Sequence, residues 1–307
     1  MRLALTLGTM ACLAAGAALA REPGIAPQFP PGQTLGLTVA KNPPPGLYLT
    51  NRLAWYDAQL RDDQGRAMGQ HVIARSEAVQ LTWVPGWRIL GASYKTFVNV
   101  PFVDQTVTRT SPAAGRMGRY HSSGLADPKV QPLDLTWDVG DGWHVGAGLG
   151  VYLPVGTWDS GADINIGQHF WTVEPGLSLT YLQDGWHASL HVLYDVNAEN
   201  PNNHYRSGDQ MFVNATLTRS LSGWEVGPVA YGQKQVTGDE NNGGASTFRG
   251  TTAEPSRQVG VGLLATHALG PAKVTAFITR DVDARNTLGG DKFWLNLSLP
   301  LRYAKSR

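Results

Sequence analysis

Cysteine is almost missing from this chain. The 307 residues hold one, Cys12, inside an N-terminal apolar stretch expected to be removed, so disulfides and thiolate metal sites are excluded for the rest. Charge is also scarce: Asp, Glu, Lys and Arg make up 16% of the residues, and with Arg2 set aside 24 basic residues balance 24 acidic ones. That balance leaves no basic patch for a nucleic-acid partner. Past residue 20 no apolar run approaches the roughly twenty residues of a membrane-spanning helix. Spanning by helices is excluded with it.

The first twenty residues read as a secretory signal peptide. Arg2 precedes an apolar stretch from Leu3 to Leu19, and the small-residue triplet Ala18-Leu19-Ala20 marks cleavage after Ala20. A membrane anchor is the alternative, but the stretch is Ala-rich and runs at once into polar, Pro-rich sequence. Cys12 follows Thr9, Met10 and Ala11, which is not the Leu-led pattern of a lipoprotein. Residues 21–45 hold too many prolines to form a strand, and two roles stand open for them: a plug inside a larger structure or a tail in the periplasm.

What is plentiful is glycine, 36 residues, and tryptophan, 10, set in segments that alternate with period two. From Trp143 to Leu153 the odd positions carry Trp143, Val145, Ala147, Leu149, Val151 and Leu153, and the even ones His144, Gly146, Gly148, Gly150 and Tyr152. Segments around Leu133, Trp171–Tyr181, Trp186–Tyr194, Met211 and Val259 repeat the pattern, with one apolar face throughout. Period two means strands.

The connections alternate as well. Short Gly-containing turns occur at 84–86, 139–142, 183–185, 220–223 and 269–271. Longer polar stretches are expected at 99–128, 155–169, 197–208 and 236–257, with shorter ones at 62–70 and 281–291. An all-β, antiparallel, up-and-down transmembrane barrel requires this asymmetry, with short periplasmic turns and long extracellular loops. Counting hairpins gives about 12 strands over residues 46–303, with 10 or 14 as alternatives, and a tail at 304–307. Lipid offers no partners to backbone N–H and C=O groups, so the sheet must close. Trp83, Trp87, Trp137, Trp143, Trp186 and Trp224 flank the short turns and, with Tyr303, are expected to form an aromatic girdle at one water–lipid boundary. The last strand alternates up to Tyr303, an aromatic end of the kind read by the barrel-assembly machinery.

Several short signatures then stand in order: Pro30-Pro31-Gly32, Pro43-Pro44-Pro45-Gly46-Leu47-Tyr48, Gly124-Leu125-Ala126-Asp127-Pro128 opening a strand that ends at Trp137, Pro154-Val155-Gly156-Thr157-Trp158-Asp159, Asn200 with Tyr205-Arg206-Ser207-Gly208, and Gly227-Pro228 with Tyr231 and Gln233. In order and spacing the chain resembles the outer-membrane barrels labelled for the MetA pathway of phenol degradation, which include sphingosine-induced porin-like proteins. The resemblance implies a barrel that passes hydrophobic or aromatic compounds. Ala126 stands where that family's loop would carry a second glycine.

On the inward rows Asp134, His144, Tyr152, Glu174, His187, His191, Glu225, Tyr231 and Lys273 are expected to face the lumen, where charge tunes which solutes pass. His187, Ser189, His191 and Asp195 share one face and admit a second reading, a barrel hydrolase acting on lipid or peptide. They lack ligand spacing for a metal, and no Gly-x-Ser-x-Gly, His-Glu-x-x-His or phosphate loop occurs. Asp239-Glu240-Asn241-Asn242-Gly243-Gly244 offers oxygen donors but not the spaced acids of a calcium loop. The expectation is a passive outer-membrane channel, not an enzyme, with no cofactor, whose partners are small solutes, outer-membrane lipid and, during biogenesis, the assembly machinery. A soluble exported β-sandwich is a third reading, in which the apolar faces pack on each other. The oligomeric state is not legible.

Overall fold

The computed structural model describes Glu22, residues 26–110 and residues 117–303. The expected signal peptide, the C-terminal tail and the side chain of Tyr303 lie outside the described residues. Twelve strands form the barrel: β1 (Gly46–Arg61), β2 (Ala67–Val84), β3 (Ala92–Thr110), β4 (Lys129–Gly140), β5 (Trp143–Tyr152), β6 (Thr172–Gln183), β7 (Trp186–Asn197), β8 (Gln210–Leu221), β9 (Trp224–Gln235), β10 (Arg257–Leu269), β11 (Ala272–Arg285) and β12 (Thr287–Tyr303). Each pairs antiparallel with its neighbours in sequence, and β1 pairs with β12 from Gly46↔Tyr303 to Arg61↔Thr287. That last pairing closes the barrel and leaves no strand edge to lipid. Among the described residues no helix is long and apolar enough to cross a membrane.

The alternation in the sequence becomes two faces. Val79, Leu81, Val98, Val100, Leu177, Leu190, Leu217, Val261, Leu263 and Ile278 are all exposed, whereas Thr180, Asn214, Thr216, Gln258, Thr279 and Asn296 are buried. A water-soluble sheet would invert this, so the exposed apolar rows suit lipid. Rings flank the short turns on the exposed face, with Trp83 against Trp87 at 5.3 Å and Trp143 against Tyr181 at 4.8 Å. Exposed Trp171 stands ten residue steps along the chain from Tyr181, about 25 Å along the barrel axis for a strand tilted by about 40°, which matches the height of an apolar belt.

Two expected loops are strands. The stretch from Asn99 continues β3 to Thr110, and the strand Met117–Leu125 folds back to pair with its outer half, from Phe102↔Leu125 to Thr110↔Met117. The stretch 281–291 is the end of β11 and the start of β12, joined at Asn286 (φ 51°). Above the lipid belt the outward side chains become polar, as with the exposed pair Arg280–Asp291 at 2.7 Å, while the backbone still needs partners. Apolar alternation therefore marks only the lipid-facing part of a strand.

Residues 26–45 occupy the barrel interior. Turns closed by Gln33 N–H to Pro30 O, Leu35 N–H to Gly32 O and Leu37 N–H to Thr34 O compact the segment. Further backbone donors are met by the barrel: Gly32 N–H by Asn214 Oδ1 (3.0 Å), Gly36 N–H by Thr216 Oγ1 (2.9 Å) and Ala40 N–H by Thr180 Oγ1 (3.1 Å). Phe29 packs on Phe212 with ring centroids 5.0 Å apart, and Leu35 is sealed among Tyr231, Leu264, Phe277 and Trp294. Gly36 has φ +78°, and a Cβ there would meet Leu264 Cδ1 at 2.5 Å, so no other residue fits without a shift.

Candidate functional site

The segment descends from the long-loop end to the short-turn end. Near the loops Glu22 accepts Asn203 Nδ2 (2.6 Å) and Asn200 Nδ2 (3.1 Å), and its N–H reaches Ser207 Oγ (3.1 Å). Burial pushes the Glu22 carboxyl up, opposed by those two amides. Gln28 Nε2 donates to Asp127 Oδ2 (3.0 Å). At the other end Asn42 Nδ2 donates to Ser93 O (3.1 Å), just before Gly46 opens β1. Asp127 ties the loops together: it also accepts Gly156 N–H (2.9 Å) and Gln168 N–H (2.9 Å). The short signatures at 124–128, 154–159, 200 and 205–208 are thus the scaffold that holds the loops and the start of the segment.

The segment does not fill the interior evenly. Against β6, β7 and β8 it is bonded and packed. Towards β1, β2 and β3 it leaves two adjoining cavities of about 220 and 120 Å³, which share Pro27, Pro30, Ser76, Val103, Gln105 and Trp294 in their walls. The larger opens among the long-loop ends, with Arg109, Asp163 and Asn286 at its rim, and its walls carry Val72, Val107, Ile164 and Leu288. The smaller reaches down to Arg52 and Asn99. From Leu60, on the larger, to Arg52, on the smaller, is eight residue steps, about 26 Å along β1.

The expected lumen residues fall into separate clusters on the buried face. Tyr152 donates to Glu174 Oε2 (3.0 Å), and Glu174 also pairs with Lys129. Asp134 pairs with Lys95 at 3.3 Å. His144 is buried, 3.9 Å from Asp138, and His191 Nδ1 lies 3.3 Å from Thr34 Oγ1 of the inner segment. Tyr231 donates to Asp281 and accepts Lys292 Nζ (2.8 Å). Lys273 stands at the short-turn end, half exposed, 3.3 Å from Glu225. Of the expected girdle, Trp83, Trp87, Trp143, Trp186 and Trp224 are exposed, and half-buried Trp137 donates Nε1–H to Leu90 O (3.0 Å).

The row considered for hydrolysis is divided. Asp195 lies apart, fully buried beside Glu174, while His187 joins Ser189 Oγ (2.8 Å) on one side and Glu225 on the other. A hydroxyl, an imidazole and a carboxylate in line is the order of a nucleophilic triad. Here Ser189 Oγ also lies 2.9 Å from Thr180 Oγ1, which in turn accepts Ala40 N–H of the inner segment. Neither cavity is lined by any of the three, and the backbone donors nearby belong to the sheet ladder, as with Ser189 between Thr180 and Thr216. Among the described residues no oxyanion site stands beside Ser189. Among the described residues no group of three or more His, Cys, Asp or Glu side chains could hold a metal. Loop acid Asp239 is engaged by Tyr205 and Gly208 N–H, and Glu240 by Arg206.

Residues 57–297 match the family model described as "Putative MetA-pathway of phenol degradation". The chain belongs to this family. Among solved structures it is similar to the COG4313 outer membrane channel from Pseudomonas putida F1, at 12% identity and TM-score 0.69, over 88% of this chain and 99% of that one. It is more loosely similar to the CymD monoaromatic hydrocarbon channel, at 9% identity and TM-score 0.42, over 95% of this chain and 96% of that one. No curated protein matches. Among the inward groups of this family member that escape a reading of the sequence are Arg52, Tyr56, Asp281 and Lys292. The first two sit on β1 in rows of mixed polarity, and the last two lie at or beside a stretch whose polarity reads as a loop.

Proposed function

We propose that this protein is a passive outer-membrane channel for small hydrophobic or aromatic compounds, entering from the long-loop end and passing between the inner segment and the β1–β3 wall. The observation that carries this reading is the pair of adjoining cavities, apolar along the upper wall and polar below. Past the paired Arg109 and Asp163 of the rim, such a lining lets an apolar solute leave water against Val72, Val107 and Leu288, while the polar groups below keep the affinity low enough for release. Membership of the family and likeness to a barrel described as a channel support the reading. The long loops then face outwards, the short turns and the end of β12 face the periplasm, and residues 21–45 act as a plug that narrows the lumen. The inward polar clusters tune selectivity, and the Trp residues beside the short turns anchor the periplasmic boundary of the lipid.

Two measurements test this. The mature protein should fractionate with detergent-extracted outer membrane and migrate differently before and after boiling; a detergent-free periplasmic protein would overturn the reading. Reconstituted in liposomes, it should admit hydroxylated aromatic solutes faster than sugars of similar mass, and equal rates would remove the aromatic preference. Ser189→Ala should leave those rates in place, whereas an enzyme built on Ser189, His187 and Glu225 would lose its turnover.

A further inference from the structure

Two inward lysines of the barrel have a carboxylate beside them: Lys129 has Glu174, and Lys95 has Asp134. Arg52 does not. It is 5% exposed, it lines the smaller cavity, and among the described residues its Nε has no hydrogen-bond partner and its guanidinium makes no ion pair. Asn99 Oδ1, in the same wall, is also unpaired. A guanidinium carries five donors and cannot shed its charge, so holding one away from bulk water without an anion is costly unless an anion visits.

The register of β1 with β12 places a second cation above it on the same wall. Tyr56 pairs with Lys292, Ala54 with Trp294 and Arg52 with Asn296. Lys292 and Arg52 therefore stand four residues apart along the wall, about 13 Å, with the Trp294 indole between them and in the lining of both cavities. Lys292 donates to Tyr231 Oη (2.8 Å) and Pro31 O (3.4 Å), and its ammonium lies 4.6 Å from the Tyr56 ring and 4.4 Å from the Tyr231 ring. Its counter-charge, Asp281, is reached only through the Tyr231 hydroxyl, and that carboxylate is already engaged by Tyr56, Gln258 and Gly290 N–H. The carboxylate that lines the smaller cavity, Asp127, is turned to Gly156 N–H, Gln168 N–H and Gln28, and Asp163 at the rim is paired with Arg109. The cavity wall is apolar above and positive below.

Resting on the channel reading, we propose that the solutes it selects are small carboxylates with an apolar, aromatic-sized body: the body lodges against Val72, Val107 and Leu288, and the carboxylate passes from Lys292 to Arg52. The guanidinium offers the planar, two-pronged donor that a carboxylate matches. Trp294 supplies a flat face for the body during the step between the cations.

The test is calorimetric titration of the full mature chain, folded in detergent, with benzoate, benzyl alcohol and acetate. Benzoate should bind at least about tenfold more tightly than benzyl alcohol, which lacks the charge, and than acetate, which lacks the ring. In Arg52→Gln that advantage over benzyl alcohol should disappear, and in Arg52→Lys much of it should remain. Benzoate bound no better than benzyl alcohol by the wild type, or equally well by Arg52→Gln, overturns the proposal. Should Arg52→Gln lack the folded gel migration, the wild-type comparison of the three probes decides alone. Conductance of the wild type in planar bilayers reads the passage separately. A conducting barrel without the benzoate preference removes the carboxylate class and keeps the channel; Arg52-dependent benzoate binding by a non-conducting barrel supports the site and removes the passage.

Discussion

The two sides of the barrel interior treat the same inner segment differently. On the β6–β8 side, Thr180, Asn214 and Thr216 each accept one of its backbone donors, and Phe212 packs on Phe29. On the β1–β3 side the segment presents Pro27, Pro30 and Pro31, which have no N–H to offer, and the cavities lie against them. Proline placement thus decides where the segment adheres and where it leaves space. The strands differ to match: β1, β2 and β3 have 16, 18 and 19 residues against 12 each for β6, β7 and β8, so the wall that borders the cavities also rises further beyond the lipid.

Deleting residues 21–43 should abolish this contrast and give the largest effect, a severalfold rise in single-channel conductance from a barrel that still shows heat-modifiable migration. Unchanged conductance would mean that the segment does not limit the passage. Next comes Val107→Trp, which fills the larger cavity from its wall. It should remove most of the aromatic flux in liposomes at some cost in melting temperature, because Val107 also packs on Val72 and Ile164; flux at the wild-type rate would place the passage elsewhere.

On the adherent side the effects should fall on stability. Gly36→Leu cannot keep φ +78° or the contact with Leu264, and should cost about 1–3 kcal/mol in thermal unfolding while raising conductance noise as the segment loosens. Thr216→Val keeps the shape but leaves Gly36 N–H without its acceptor, a smaller loss of about 1–2 kcal/mol. If the two variants instead altered flux without altering stability, the distinction between an adherent side and a passage side would fail.

The barrel is legible in the sequence because lipid leaves a strict signal: apolar side chains on one face at period two, and Gly-containing turns where strands reverse. Trp143–Leu153 needs nothing more. The same rule hides the ends of β3, β11 and β12, where outward side chains such as Arg280 and Asp291 are polar because water, not lipid, surrounds them. The inner segment is legible as prolines and glycines unsuited to a strand, but its course is not, since Gly32 and Gly36 are held by Asn214 and Thr216 from about 180 residues away. Arg52 shows the limit most plainly. A lone basic residue in a strand carries no sign of whether an acid will face it; that depends on which side chains the closure of β1 on β12 brings opposite.

The smallest effect should come from Asp127, which joins the two sides by holding both Gln28 of the inner segment and the loop donors Gly156 N–H and Gln168 N–H. Burial pushes its carboxyl above the usual range, against the lowering effect of those three hydrogen bonds. A carboxyl whose folded value is raised penalises the folded state while it is ionised, and the penalty is relieved as pH falls through that raised value towards the unfolded one. The wild type should therefore gain thermal stability relative to Asp127→Asn as pH is lowered from neutrality, the variant having no proton to take up there. The gain is read as the difference between the two melting temperatures across the pH series. A difference that stays flat would show that the hydrogen bonds cancel burial at Asp127, and that the loop scaffold grips the inner segment through an ordinary carboxylate.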